Sequence, residues 1–476
     1  MKQEHVDVAI VGAGSAGLTA LRQVKNVTDN FLLIDPGPLG TTCARVGCMP
    51  SKALIHIANE YHRRRSFAGI GISGAEHLRC DIPAVLRHVR TLRDRFTTGM
   101  IEATRELAGE RFVEERAVLV GPQRVQVGDR FVDADRIILA PGARPLIPRD
   151  WEPFSGHLLT SSTIFEQDVL PERIAVIGLG PVGLELGQAL SRLGVQMTGF
   201  NTSSEIGGLS DPEVNAVAGK IFGEEFTLHI GAAAKIKSTA NGVEVHAGAA
   251  TATVDKILVA TGVRPNIDEL GMEALGVELD EHGMPPVNPH TSQIGDLPVY
   301  LAGDANGYAP VLHEALDEGF IAGRHSFESD GASACYCRRP PLRIVFSDPQ
   351  CAVVGQSFAD LRDTSIVIGR VDFRQQARAI LEGRNAGVLR LYADASSGRI
   401  LGAEMVAPEA EHLAHLLAAC IQANMTVQNA LQLPFYHPTL EEGLRTALRD
   451  AATQLTESPR PDGLHPCESC PESALQ

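Results

Sequence analysis

The sequence predicts an α/β protein: two Rossmann-like units, then a smaller C-terminal α+β domain. Three observations predict it. A strand, a glycine-rich turn, a helix and a second strand recur in that order at two places in the chain. The pattern changes after Pro340 to short strands followed by helices. The length, 476 residues, exceeds one ordinary core and points to about three domains.

The first unit begins with the apolar run VDVAIV at 6–11. GAGSAG follows from Gly12 to Gly17, then LTALRQV at helical spacing, then FLLID ending on Asp35. An acid about 20 residues beyond such a turn is what a dinucleotide-binding βαβ unit requires. Gly12 permits the tight turn, Gly14 lets backbone approach a pyrophosphate, and Gly17 lets helix and strand pack closely. The helix N-terminus then faces the phosphates. The second unit runs RIAVI at 173–177, GLGPVG from Gly178 to Gly183, a helix, and VQMTGF. One such turn is a weak signal. Two of them, about 165 residues apart and each between strand and helix, imply two nucleotide sites. RIILAPGARP at 136–145 and KILVATGVRP at 256–265 look alike, each a buried strand ending in a small-residue turn. VYLAGDANG at 299–307 is another apolar strand, ending on Asp304. Beyond Pro340, strands are predicted near 342–346, 351–354, 365–371, 387–392 and 399–406, and helices at 409–424 and 440–454. The last stretch, after Leu455, is rich in Pro, Ser and Glu and reads as a flexible tail.

Composition narrows the function. Hydrophobic residues make up 44% and charged residues 21%, a globular profile, and the net charge of −16 argues against nucleic-acid binding. The apolar stretches are too short or too broken by glycine to span a bilayer. A strand pattern within the first ten residues leaves no room for a cleaved signal, so the expected location is the cytoplasm. Nine scattered cysteines form no secreted disulfide framework. No metal site is expected.

Two cysteines carry chemistry. In GTTCARVGCMPSKALI, residues 40–55, Cys43 and Cys48 are separated by four residues, and Gly47 lets the chain turn between them. MPSKALIHIANEY reads as a helix, with Pro50 in its first turn. Cys48 would sit at that helix's N-terminus with Lys52 one turn in, and both features favour thiolate. The alternatives are a structural disulfide or two buried thiols, and a cytosolic setting disfavours the first.

The stretch resembles the active-site signature of the class I pyridine nucleotide-disulfide oxidoreductases, among them most the dihydrolipoyl dehydrogenases. That signature reads G-G-T-C-x-N-V-G-C-x-P-S-K. Here Thr41 replaces the second Gly and Arg45 the Asn. The resemblance spans about residues 5–455. It implies an FAD-binding domain over 1–145 and 272–340, an NAD(P)-binding domain over 146–271, a dimerisation domain over 341–455 and a tail over 456–476. FAD would be held by Gly12, Gly14, Ser15, Ala16, Gly17, Asp35, Lys52, Gly142 and Asp304. Cys48 would face the flavin and Cys43 the substrate. Lys52 would pair with Glu185, since a Glu in an apolar helix needs a cation. NAD(P) would lie on Gly178, Gly180, Gly183, Asn201 and Gly262. NAD-dependent members carry an acid where this chain has Asn201, yet no Arg or Lys occurs from 201 to 210 to hold an extra phosphate. NAD is therefore expected, with NADP possible.

FYHPTLEEGL at 435–444 resembles the family's H-P-T-x-x-E, making His437 a general base and Glu442 its orienting carboxylate. In the family this pair serves the partner subunit's cysteines, so a homodimer is implied. Phe435 and Tyr436 depart from the usual residues there. The expected activity is oxidation of dihydrolipoyl groups by NAD⁺ through Cys43 and Cys48, with a lipoyl-bearing carrier or 2-oxoacid dehydrogenase complex as partner. The rivals are a mercuric-reductase-like or other NAD(P)H-dependent disulfide reductase and a low-turnover flavin redox sensor. Cys467 and Cys470, with His465 nearby, could be a second dithiol or a soft-metal trap, though an inert tail is favoured. Cys335 and Cys337 read as structural, and isolated Cys80, Cys351 and Cys420 as small buried residues.

Overall fold

The computed structural model describes residues 3–239, 242–327 and 335–455. The first glycine turn sits in a sheet ordered Phe112–Val113, Phe31–Ile34, Gln3–Val11, Arg130–Leu139, Arg124–Val127, Ala117–Gly121. Gln3–Val11 is parallel to both neighbours, and Val299–Leu301 returns to pair with the far end of Arg130–Leu139. Val6, Val8, Ala9 and Ile10 are fully buried, because helices or loops cover both faces of a central parallel strand. That burial explains the unbroken apolar run. The turn leads into α1, Ser15–Val24. A single helical turn, α2 (Thr42–Arg45), then precedes α3, Cys48–Arg63.

Next comes α4, Ile82–Ala108, a helix of 27 residues capped by the Asp81 side chain, which accepts the Ala84 N–H at 3.1 Å. The sequence reading did not anticipate it. Its buried residues are only Leu86, Val89, Thr104 and Ala108, so its apolar stripe is thin.

The second glycine turn sits in a parallel sheet ordered Thr227–Ile230, Gln196–Asn201, Arg173–Ile177, Lys256–Val259, Leu158–Leu159. Its helices are α5, Pro181–Arg192, and α6, Pro212–Gly223. A three-stranded antiparallel sheet, Lys235–Thr239, Gly242–Ala247 and Ala250–Val254, was also not foreseen. The two look-alike runs meet: Ala143–Pro145 and Val263–Pro265 pair antiparallel where the chain leaves and re-enters the first unit. After Val299–Leu301, α7 (Leu312–His325) packs on α1. A Cβ on Gly319 or Gly323 would strike the α1 backbone at Ala16 or Ala20, so these glycines set the helix spacing.

The C-terminal sheet is antiparallel, ordered Leu342–Val345, Gln350–Gly355, Ile400–Ala407, Val388–Asp394, Ile366–Asp372. It carries α8 (Ala377–Leu381), α9 (Ala410–Gln422), α10 (Val427–Leu431) and α11 (Glu442–Ala452). The strands and the two long helices fall where the sequence placed them. A buried polar joint ties this sheet to the second unit. Glu404, fully buried, accepts the backbone N–H groups of Ser210 at 2.7 Å, Asp211 at 2.9 Å and Phe358 at 2.9 Å, and the Ser210 hydroxyl at 2.5 Å. Asp211, equally buried, caps α6 and accepts from Arg390 at 2.7 Å and the Tyr392 hydroxyl at 2.9 Å. Among the described residues no helix is long and apolar enough to cross a membrane.

Candidate active site

The redox loop is built on two unusual backbone positions. Thr41 has φ 57° and ψ 149°, a region open almost only to glycine, and its hydroxyl caps α2 by accepting the Ala44 N–H at 3.3 Å. Gly47 closes the turn: a Cβ there would lie 3.1 Å from the Thr42 carbonyl oxygen and 3.2 Å from the Cys43 Cα. Cys48 is then the first residue of α3, with Pro50 buried in the same turn.

The expected disulfide is open in this structure, and both cysteines are free, half-buried thiols. They hydrogen-bond to each other, which separates their acidities. The Cys48 thiol is held down at about 6, first by the bond from Cys43 and then by Lys52, against the opposing effect of burial. The same bond and burial push Cys43 far up. At neutral pH the pair therefore holds its proton on Cys43 and its charge on Cys48. Lys52 Nζ, one turn into α3, donates to Glu185 at 2.8 and 3.1 Å and lies 4.6 Å from the centre of the Phe346 ring. Glu185 is buried in α5 and also accepts the Phe346 N–H at 2.9 Å.

The same face of α5 carries two residues that the sequence reading passed over. Gln188 accepts the Asp348 N–H at 2.8 Å. Arg192 donates to Asn59 of α3 at 2.7 Å, to Asp348 at 2.9 Å and to both oxygens of Glu225. Glu185, Gln188 and Arg192 follow i, i+3, i+7 spacing, the signal that could have found them. Together they fasten the redox helix to the second unit and to the C-terminal sheet.

The two glycine turns are near copies. A Cβ on Gly12 would strike the Ala140 carbonyl, and one on Gly178 would strike that of Ala260. Gly17 and Gly183 likewise abut the Gly12 and Gly178 carbonyls. Gly14 and Gly180 have no protein atom within 4 Å of such a Cβ, which leaves each turn open above the start of its helix. Ser15 and Ala16 begin α1. Asp35 accepts the Ala13 N–H at 2.6 Å and the Gly37 N–H at 2.7 Å. In the same place Asn201 accepts the Leu179 N–H at 3.0 Å, while its amide donates to the Ser203 and Glu205 carbonyls. Gly142 and Gly262, both at positive φ, flank the paired connecting strands. Such turns suit the diphosphates of two dinucleotides.

Asp304 lies in the short turn Gly303–Asn306, its carboxyl pushed up by burial and by nearby Glu318. Glu318, also missed from sequence, is buried in α7 and accepts from Gly303 N–H at 2.8 Å, Asn306 at 2.6 Å and Arg338 at 2.7 Å. A Glu within an apolar helix was its signal, as for Glu185.

His437 and Glu442 stand together, and among the described residues no hydrogen bond or ion pair joins them to Cys43 or Cys48. His437 Nδ1 lies 3.0 and 3.2 Å from the Glu442 carboxylate, and the Thr439 N–H also donates to it at 3.2 Å. The imidazole is 72% exposed, with Nε2 turned away from Glu442. Tyr436 beside it is 82% exposed. Cys335 and Cys337, expected to be structural, are exposed thiols. Tyr336 between them exchanges hydrogen bonds with His290. Cys351 and Cys420 are buried as expected, and Cys80 only partly so. Cys467, Cys470 and His465 fall outside the described residues.

Comparison with known proteins gives a consistent picture. Residues 6–319 match the family model described as pyridine nucleotide-disulphide oxidoreductase, and residues 342–448 match the dimerisation domain of the same family. A dihydrolipoyl dehydrogenase of Thermus scotoductus is 29% identical over 93% of this chain and 96% of that one. A mercuric reductase of Shigella flexneri is 31% identical over 92% of this chain and 80% of that one. Among solved structures, LpdA from Mycobacterium tuberculosis superposes with a TM-score of 0.81 at 24% identity, covering 94% of this chain and 99% of that one. The flavoprotein disulfide reductase RclA from Escherichia coli, as its Cu(II) complex, gives 0.80 at 20% identity over 92% and 98%.

Proposed function

The chain belongs to the pyridine nucleotide-disulphide oxidoreductases, which bind FAD and use NAD(P), and on that premise we propose that it oxidises dihydrolipoyl groups with NAD⁺. The observation that carries the proposal is the pairing of His437 with Glu442. A substrate dithiol must lose a proton before it attacks a disulfide, and an exposed imidazole anchored through Nδ1 offers Nε2 for that task. The cysteines it serves are those of a second subunit, in keeping with the dimerisation domain.

His437 takes a proton from one substrate thiol, and the resulting thiolate attacks Cys43 of the Cys43–Cys48 disulfide. That bond breaks and leaves charge on Cys48, where the helix start and Lys52 hold it. The second substrate thiol displaces Cys43 and its proton remains there. Two electrons have entered the pair, one proton is on His437, and the substrate is a disulfide. FAD, when bound, supplies the two-electron acceptor for the dithiol and the hydride donor for NAD⁺. Gly12, Gly14, Ser15, Ala16, Gly17, Asp35, Gly142 and Asp304 would hold it, with Lys52 beside the flavin. Gly178, Gly180, Gly183, Asn201 and Gly262 would hold the nicotinamide dinucleotide. NAD is preferred because the only ionisable side chain from 201 to 210 is Glu205, an anion.

Steady-state turnover of dihydrolipoamide with NAD⁺ and with NADP⁺ tests the proposal. The expected result is turnover with NAD⁺ that Cys43→Ser abolishes. Negligible turnover, unchanged by Cys43→Ser, would remove the enzyme reading in favour of a redox sensor. The 31% identity to a mercuric reductase favours a second reading. Mercury-dependent NADPH oxidation, lost on truncation after Leu455, would establish it.

A further inference from the structure

Residues 335–340, which lead into the C-terminal sheet, present two thiols on one face. Exposure alternates along them residue by residue. Cys335, Cys337 and Arg339 are exposed, while Tyr336, Arg338 and Pro340 are partly covered. A period of two is the mark of extended chain. Tyr336 and Arg338 both face α7. The Tyr336 ring packs edge-on against Phe320 with centroids 6.1 Å apart, and Arg338 donates to Glu314 and, at 2.7 Å, to Glu318. The long Arg339 side chain reaches back to Asp317 at 3.0 Å. The backbone is pinned as well. The Tyr336 N–H donates to the His290 carbonyl at 3.2 Å, and the Tyr336 carbonyl lies 2.9 Å from His290 Nδ1. Cys335 and Cys337 are thus held side by side, turned away from α7, as free exposed thiols.

Their spacing decides what the pair can take. In extended chain, side chains two residues apart leave their Cβ atoms about 6.5–7 Å apart. A disulfide needs about 3.5–4.5 Å. Closing that gap would bend the backbone between them and draw Tyr336 and Arg338 off α7. A cation set between the sulfurs adds two metal–sulfur bonds of about 2.3 Å each, which span the gap with the backbone in place. Thiolate ligands select soft ions. Among the described residues, three metal-ligating side chains gather only at Glu409, Glu411 and His412, so the two thiols have no further ligand for an ion that demands four. We propose that Cys335 and Cys337 form a binding site for a soft, two-coordinate cation of the copper(I) or mercury(II) type, separate from the redox pair. Each thiol releases its proton to solvent as its metal–sulfur bond forms, and no electrons are transferred.

The test uses the full-length chain as wild type, Cys335→Ser, Cys337→Ser and the double variant. Reduced protein is loaded anaerobically with copper(I) or, separately, with mercury(II). It is then washed with glutathione, which strips ions held by one sulfur, and its metal content is counted. With at least one of the two ions, wild type should retain about one ion per chain more than each of the three variants, because either serine breaks a two-sulfur site. Equal retention by wild type and double variant with both ions overturns the proposal, as does a single variant that retains as much as wild type. A second readout needs no variant. Bound metal should shield Cys335 and Cys337 together from N-ethylmaleimide, read on the tryptic peptide 325–338 that carries both. Alkylation of both at the metal-free rate refutes the site, and an ion lost on truncation after Leu455 with both thiols still open places it in the tail instead. A disulfide between Cys335 and Cys337 in air-exposed protein would refute the spacing argument. No readout involves a dithiol substrate, so failure here leaves the substrate assignment untouched.

Discussion

Replacing Cys43 with alanine removes the hydrogen bond that does most to lower the pKa of Cys48, whereas serine keeps a donor at the same place. In the reduced wild type the Cys48 thiol titrates at about 6, with the Cys43 bond as the leading cause and burial opposing it. A hydrogen bond to a charged acceptor contributes about 1.5–3 kcal/mol. At 1.36 kcal/mol per pH unit, its loss moves the midpoint up by about one to two pH units. Lys52 still favours thiolate, so the midpoint stays below that of an ordinary cysteine. The assay is alkylation of reduced holoenzyme by iodoacetamide from pH 5 to 10, with the Cys48 peptide followed by mass spectrometry. The alanine variant should react up to about tenfold more slowly at pH 7, with its profile displaced upward, and the serine variant should track the wild type. Identical midpoints for alanine and serine would refute the reasoning. They would transfer the effect to the helix terminus and Lys52.

Other outcomes follow from the remaining geometry. His437→Gln should lower kcat/KM for dihydrolipoamide by about 10² to 10⁴, while NADH-driven reduction of a small artificial acceptor is unchanged. Equal loss in both assays would argue for a structural role. Glu404→Ala strands three N–H groups and a hydroxyl at a buried or half-buried joint, so urea denaturation should show a loss of about 2–3 kcal/mol. Lys52→Met leaves Glu185 buried without its cation and should cost about 2–4 kcal/mol, part of it recovered in Lys52→Met/Glu185→Leu. Burial pushes the Cys351 thiol up to about 12. Below pH 9 the thiol is neutral in both states and costs nothing. From about pH 9 to 12 it ionises only on unfolding, so stability falls as pH rises, and Cys351→Ala should flatten the melting temperature over that window.

What could be read from the sequence is what local backbone physics dictates. Gly12 and Gly178 sit against a carbonyl that admits no side chain, and Cys48 begins a helix because Gly47 and Pro50 make one there. Such constraints act over a few residues and leave a pattern in them. The joints between units leave at most a spacing on one side, as Glu185, Gln188 and Arg192 do on α5, and nothing that names the partner. Arg192 and Asn59 are 133 positions apart, and Ser210 and Glu404 are 194 apart. In a linear sequence nothing links either pair. α4 escaped notice because a helix with four buried residues presents too little apolar stripe. Thr41 shows the reverse case. A departure in one letter of the redox signature kept a glycine-like backbone at that position, so the loop's shape survived the substitution.

The bond from Asn201 to the Leu179 N–H has a meaning of its own, apart from any nucleotide. The residue that closes this strand supports the glycine turn before any nucleotide arrives, as Asp35 does in the first unit. Only a side chain with an oxygen at that reach can do so, which reduces the choices in practice to aspartate and asparagine. These two differ by a charge and hardly at all in shape. Exchanging one for the other here would therefore change the charge at the end of this strand and leave the frame around it standing.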